Sequence, residues 1–333
     1  MNRFNLTMIP CILALALVGG CGNANDKQLT VKQPPASENS SQPTSPAPDE
    51  KPEADVVKQF EVMAAQAKEA SELTAFLDQH MSTAGEKTAD QLFIDLENYL
   101  VGHLPVVSDN FHALLAQPAA ADIIRGLEYP YDFSKIKNDE NLKQWLMAQT
   151  AGKLKLMATF DMEYYWVVDY EALQVYAPHL SDDLKEYLAI QTTEMNGPYA
   201  TDGSLKISRD ELGERMMKAE DYLTKHPNGP KTATIKQLYK DYLKDYLSNY
   251  RYDAIDESTM KLLPEVKGSY SAIVKKYPNA KTSQFVSAYL AEIDKNKDVI
   301  FAFGKQGESI IGDAKPNISK FWDEISSRAD QLF

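Results

Sequence analysis

Cysteine is almost missing from this chain: 333 residues contain two, Cys11 and Cys21. Nothing beyond position 21 can therefore form a disulfide, a thiolate–zinc site, a cysteine nucleophile or an iron–sulfur cluster. Histidine is scarce too, at positions 80, 103, 112, 179 and 226. No pair has the i, i+4 spacing of a helical zinc site, and no H-E-x-x-H occurs. His103, at the end of an apolar stripe, reads as a packed, hydrogen-bonded side chain. Basic residues are in deficit, 35 against 48 acidic ones, for a net charge of −13. Such a chain repels nucleic acid and anionic lipid headgroups, whose phosphates need clustered Lys and Arg. Phosphate-binding glycine loops and G-x-S-x-G are also missing. The one long apolar run near the start, Met8 to Val18, contains Pro10 and falls short of the ~20 residues that span a bilayer.

What is present begins with that run. Arg3 is the only charge in the first 25 residues, and the run leads into Val18-Gly19-Gly20-Cys21. A short positive start, a brief apolar stretch and a small-residue cleavage site make a secretory signal peptide. With cysteine just after the cut, the segment resembles the lipobox of bacterial lipoproteins. That resemblance covers about 30 residues and implies cleavage between Gly20 and Cys21, with Cys21 carrying diacylglycerol as the anchored N-terminus. Cys11 then leaves with the signal, and lipid takes the last thiol. The expected location is extracytoplasmic, on the cell membrane or, as Gly22 in place of aspartate suits, the outer membrane.

Residues 22–54 carry prolines at 34, 35, 43, 46, 48 and 52 and no aromatic side chain. This composition cannot bury enough apolar surface to offset its ordering entropy. Together with Cys21 it reads as a disordered tether, 21–54, ahead of a domain over 55–333.

That domain is expected to be mainly α, built of irregular helical hairpins. One amphipathic helix is predicted from about Ala54 to His80, with Phe60, Met63, Leu73 and Leu77 at helical spacing. A second runs from Thr88 to His103, stopped by Pro105, and a third from Val106 to Ala116. Ser208 with Glu211 has the form of a capping box, and Ser181 opens another helix. His226-Pro227-Asn228 with Lys231-Thr232 is repeated as Tyr277-Pro278-Asn279 with Lys281-Thr282, which predicts two helical hairpins about 50 residues apart. They are similar to the turns of tetratricopeptide arrays, but the 34-residue period of that family does not fit. A helix from about Thr232 to Arg251 carries Ile235, Tyr239, Tyr242, Tyr246 and Tyr250 on one stripe, which reads as core. One stretch departs from helical spacing: Lys153–Leu156 alternates polar and apolar, and Tyr164–Val168 is aromatic and β-branched. It suits a short β-hairpin near 153–168, with Asp169 capping the next helix; a continuous helix is the competing reading.

Several short motifs lack their context. Ser258-x-x-Lys261, Ser108-Asp109-Asn110 and Lys281-Thr282-Ser283 imitate penicillin-recognising enzymes, but in the wrong order and without the sheet. Asp294–Asp298 begins like a calcium loop, yet Val299 and Lys305 stand where it needs glycine and glutamate. The richest constellation is Phe160–Tyr170, where Asp161, Glu163 and Asp169 lie among Tyr164, Tyr165, Trp166 and Tyr170. Rings that stack and carboxylates that accept hydrogen bonds suit a sugar, cation or peptide; packing against helices would use the same residues.

The expected function is a membrane-anchored envelope lipoprotein, a non-enzymatic binding or scaffolding module. Its expected partner is an envelope protein, peptide or glycan, with no nucleic acid and no cofactor. The alternative is a carboxylate-dependent hydrolase of envelope polysaccharide using Asp161, Glu163 and Asp169.

Overall fold

A computed structural model describes residues 50–159, 161, 163–250, 254–305 and 310–333. Cys21, the lipobox and most of the tether lie outside the described residues, as do Phe160 and Arg251. The fold is mainly α: twelve helices with four two-stranded antiparallel hairpins among the described residues.

The first helix, α1 (Glu50–Ala64), begins inside the stretch assigned to the tether. Proline is tolerated in a helix's first turn, so Pro52 does not prevent this. Glu53 then secures the start of the third helix: its Oε1 accepts the Gly85 N–H at 3.0 Å and its Oε2 the Thr88 hydroxyl at 2.9 Å. The single helix expected over 54–80 is two, α1 and α2 (Ala70–His80). The break arises because Glu72 folds back, its Oε1 accepting the Lys68 and Glu69 N–H groups at 3.1 and 3.2 Å.

α3 (Glu86–Leu115) runs unbroken through Pro105, joining the two helices expected there. Leu92, Phe93, Leu96 and Leu100 before the proline and Val107 and Phe111 after it are all buried, so packing on both sides outweighs the missing hydrogen bond. α4 (Pro118–Arg125) and α5 (Glu140–Ala151) lead to the expected hairpin. Its strands are β1 (Leu154–Ala158) and β2 (Tyr164–Val168), with Met157 opposite Tyr165 and Leu156 opposite Trp166. Asp169 caps α6 (Tyr170–Leu173), its Oδ1 accepting the Ala172 N–H at 3.0 Å. α7 (Asp182–Asn196) follows. Ser181 occupies its cap position, but the side chain makes no capping bond; instead its N–H donates to Asp90 Oδ1 at 2.8 Å.

β3 (Ala200–Thr201) and β4 (Ser204–Leu205) turn at Asp202-Gly203, both with positive φ. Next come α8 (Arg209–Lys225) and α9 (Thr232–Ser248) around the first Pro-Asn turn. The capping box forms by half: Ser208 Oγ accepts the Glu211 N–H, but the Glu211 carboxylate is drawn to Arg215 Nη2 at 2.6 Å. After β5 (Ile255–Asp256) and β6 (Lys261–Leu262), α10 (Pro264–Lys276) and α11 (Lys281–Lys295) enclose the second turn. β7 (Phe301–Phe303), β8 (Ile311–Ala314) and α12 (Pro316–Ala329) complete the chain.

The tyrosine stripe of α9 is core. Tyr239, Tyr242 and Tyr246 are buried, and each hydroxyl has a partner: Thr282 Oγ1 at 2.7 Å, Glu194 Oε1 at 2.5 Å and Ser269 Oγ at 3.0 Å. Burying the rings stabilises the core only because the phenols are satisfied. Tyr250 lies past the end of α9, hydrogen-bonded to the hydroxyls of Tyr270 and Tyr289.

Candidate functional site

The β1–β2 hairpin sorts the predicted site residues by strand alternation. Its inner face carries Leu154, Leu156, Trp166 and Val168, all buried. Trp166 meets Phe111 of α3 edge-on at 5.7 Å and Trp145 of α5 at 5.9 Å. Half-buried Tyr164 reaches the same Phe111 at 6.2 Å, and burial raises its phenol pKa. These two are packing residues. The outer face carries Met157, Val167 and Tyr165, and Tyr165 is 41% exposed.

The three predicted carboxylates are not brought together. Asp161 and Glu163 are exposed at the hairpin turn, where Asp161 Oδ1 accepts the Thr159 hydroxyl at 2.5 Å. Asp169 is engaged as the α6 cap at the far end of β2, roughly 20 Å of extended chain from Glu163. A glycosidase pair needs a separation of ~5–10 Å across a cleft. Asp169 stands away from the other two, and none of the three lines the groove beside the hairpin.

Outward-facing residues instead line one wall of an apolar groove of about 350 Å³. Met157, Tyr165, Val167 and, at the end of the strand, Val168 come from the hairpin, Val101 and Leu104 from α3, and Tyr170, Gln191, Glu194, Met195 and Pro198 from the α6–α7 side. Val101 is 52% exposed, so it adds open apolar surface to this wall. A larger cleft of about 780 Å³ lies between α1 and α2, where Asp55, Lys58, Gln59, Gln66 and Glu72 are interspersed with Val62, Met63, Ala67 and Phe76.

Two buried polar centres hold the groove's walls. The Tyr170 hydroxyl donates to Glu97 Oε1 at 2.8 Å, and the Tyr187 hydroxyl donates to the same oxygen. Lys231, in the turn before α9, sits 2.5 Å from Glu97 Oε2 and 5.6 Å above the Tyr187 ring. The pair is almost dry, the Lys231 and Glu97 side chains being 9% and 4% exposed. Burial, with Glu97 beside them, drives both phenol pKa values far up, so they stay neutral donors. At the second centre, Glu194 Oε1 accepts Arg215 Nη1 at 2.6 Å and the Tyr242 hydroxyl at 2.5 Å. Arg215 also bonds the Gly197 carbonyl at 2.6 Å and Glu211. Burial first, then Glu194, raises the Tyr242 pKa as well.

The sequence motifs without context stay apart. Ser258 Oγ donates to Asp256 Oδ1 at 2.6 Å in the β5–β6 turn, Ser108 lies on α3, and Lys281–Ser283 begins α11. There Glu220 caps the helix, its oxygens accepting the Lys281 and Thr282 N–H groups at 2.7 and 2.9 Å. Asp294 and Asp298 are bridged by Lys267 Nζ at 2.7 and 2.6 Å, so a lysine holds the aspartates of the calcium-like loop. Among the described residues, no group of three or more His, Cys, Asp or Glu side chains is arranged to hold a metal, and no helix is long and apolar enough to cross a membrane.

Of the predicted cluster, Tyr165 and Tyr170 reach the groove. The opposite wall and both polar centres were not anticipated. One signal was available: Glu97 interrupts the apolar stripe of Phe93, Leu96 and Leu100, and a charge there must be buried with a partner. The chain matches no known protein family, no curated protein and no solved structure.

Proposed function

We propose that the chain is an exported, lipid-anchored envelope protein whose helical domain binds a partner without chemically changing it. The observation that carries the binding reading is the apolar groove, with Tyr165 and Val101 left half exposed on walls braced by two buried polar centres. A stiff concave surface with exposed large side chains is suited to association, since little ordering entropy opposes it. The anchoring half of the proposal rests on the lipobox resemblance at Val18–Cys21. A diacylglyceryl group buries two chains at about 0.8 kcal/mol per CH₂, enough for stable attachment.

Tyr165→Ala tests the binding half. Its side chain is on the outer face of the hairpin, so unfolding free energy should change by less than about 1 kcal/mol. Crosslinked capture of a partner from envelope fractions should fall at least about tenfold, as for an interfacial aromatic anchor. Undiminished capture with an unchanged thermal transition would remove the groove from the binding surface. For the anchor, Cys21→Ala or globomycin treatment is expected to leave the signal uncut or release the protein from membranes. Normal membrane fractionation and processing after the substitution would end the lipoprotein reading.

A further inference from the structure

The groove is apolar along most of its length and acidic at one end. Glu194 lines that end, and its Oε1 receives both hydrogen bonds, from Arg215 and Tyr242. Its Oε2 accepts none from any described residue, while the side chain keeps 15% exposure. Arg215 does not neutralise the region, because its other nitrogen is committed to Glu211. Two more carboxylates, Asp245 and Asp241, stand near Tyr199, which follows Pro198 of the groove, and after burial they help raise its phenol pKa.

One cation, Arg215, is shared between Glu194 and Glu211, and Glu194 Oε2 is left open, so this end favours a positively charged, donor-bearing occupant over an acidic or phosphorylated one. An extended chain would reach past the groove. Beyond the groove the apolar strip continues to Tyr129, which is 57% exposed and whose hydroxyl approaches Met157 Sδ at 4.0 Å. Met157 and Met195 add side chains that adapt to varied apolar neighbours.

We infer that the groove binds an extended peptide segment of a partner protein, with aliphatic or aromatic side chains along Val101, Met157 and Tyr165 and a lysine or arginine against Glu194. This inference rests on the binding-module reading above and adds the chemistry of the occupant.

The test is selection from a random heptapeptide display library on immobilised full-length protein, with the Tyr165→Ala variant as the counter-selection. The expected peptides pair apolar residues with a Lys or Arg on one fixed side. A synthetic member should lose about tenfold in affinity when that lysine becomes norleucine, and more when it becomes glutamate. Glu194→Gln should cut the lysine-over-norleucine preference to about threefold or less. Should that variant lose its cooperative thermal transition, the peptide series decides alone, since it leaves the protein untouched. Selected peptides that need Tyr165 but bind equally with norleucine would overturn the cation assignment and leave the groove standing. No enrichment over the Tyr165→Ala control would overturn the groove reading itself.

Discussion

Lys231→Met is expected to lower the unfolding free energy by about 3–5 kcal/mol, the cost of leaving a buried charge without its partner. The Lys231 ammonium is 2.5 Å from Glu97 Oε2, and both side chains are shielded from water. Methionine fills much of the same volume, so the loss isolates the charge rather than a cavity. Glu97 would keep its two tyrosine donors on Oε1 and lose its counter-charge. Restoring neutrality should recover much of the loss. In the Lys231→Met/Glu97→Gln double variant an amide oxygen still accepts from Tyr170 and Tyr187, and the double should be more stable than Lys231→Met alone. Urea unfolding followed by circular dichroism reads both, the midpoint moving with little change in slope. A loss below about 1 kcal/mol would mean that water reaches Glu97 and that the pair is worth no more than a surface bridge. Since Tyr170 belongs to the groove wall, peptide affinity should fall with stability in the single variant and return in the double.

The second large effect belongs to Phe111. It is fully buried on α3 and meets Trp145, Tyr164 and Trp166 at 6.1, 6.2 and 5.7 Å, so the inner face of the hairpin rests on it. Phe111→Ala removes a ring from a close-packed cluster and should cost about 3–5 kcal/mol, combining lost transfer energy with the residual cavity. Emission from Trp145 and Trp166 should shift to longer wavelength as water reaches them. The contrast with Tyr165→Ala is the informative part. Tyr165 and Trp166 are adjacent in sequence, yet one faces the groove and the other faces Phe111. If Phe111→Ala proved as mild as Tyr165→Ala, the hairpin would not depend on its helical support.

The fold was legible where one local rule acts alone. The α9 stripe, the two Pro-Asn hairpins and the β1–β2 alternation each read directly from spacing, because burial repeats with the period of the element. Pro105 misled because the local rule against proline in helices was outweighed by Leu100 and Val107 packing on either side of it. The break between α1 and α2 was hidden for the opposite reason: the apolar spacing continues across 65–69 while Glu72 caps a new helix. The β3–β4 hairpin carried a recognisable signal in Asp202-Gly203, but strands two residues long leave almost no periodicity. For the candidate site, the aromatic cluster marked the hairpin, and two of its residues, Tyr165 and Tyr170, line the groove. The Asp169 cap was legible from its place before the helix, but residue types alone do not tell that Tyr164 and Trp166 point inward. The far wall comes from α3 and α7, and only the three-dimensional arrangement joins Val101 to Glu194.

Lys231 pairs with Glu97 across a large part of the chain, and that distance sets an order of events during synthesis. Every residue lining the groove, from Val101 to Pro198, leaves the ribosome before Lys231. Until the turn between α8 and α9 emerges, Glu97, the hydrogen-bond acceptor of Tyr170, sits in an apolar stripe without its Lys231 counter-charge. Long-range contacts of this kind form late, after the intervening loop has been closed. A nascent or truncated chain ending before Lys231 therefore carries all the groove's lining residues without a working groove. If the groove binds as proposed, a chain truncated before Lys231 is expected to lose that binding although it keeps every lining residue.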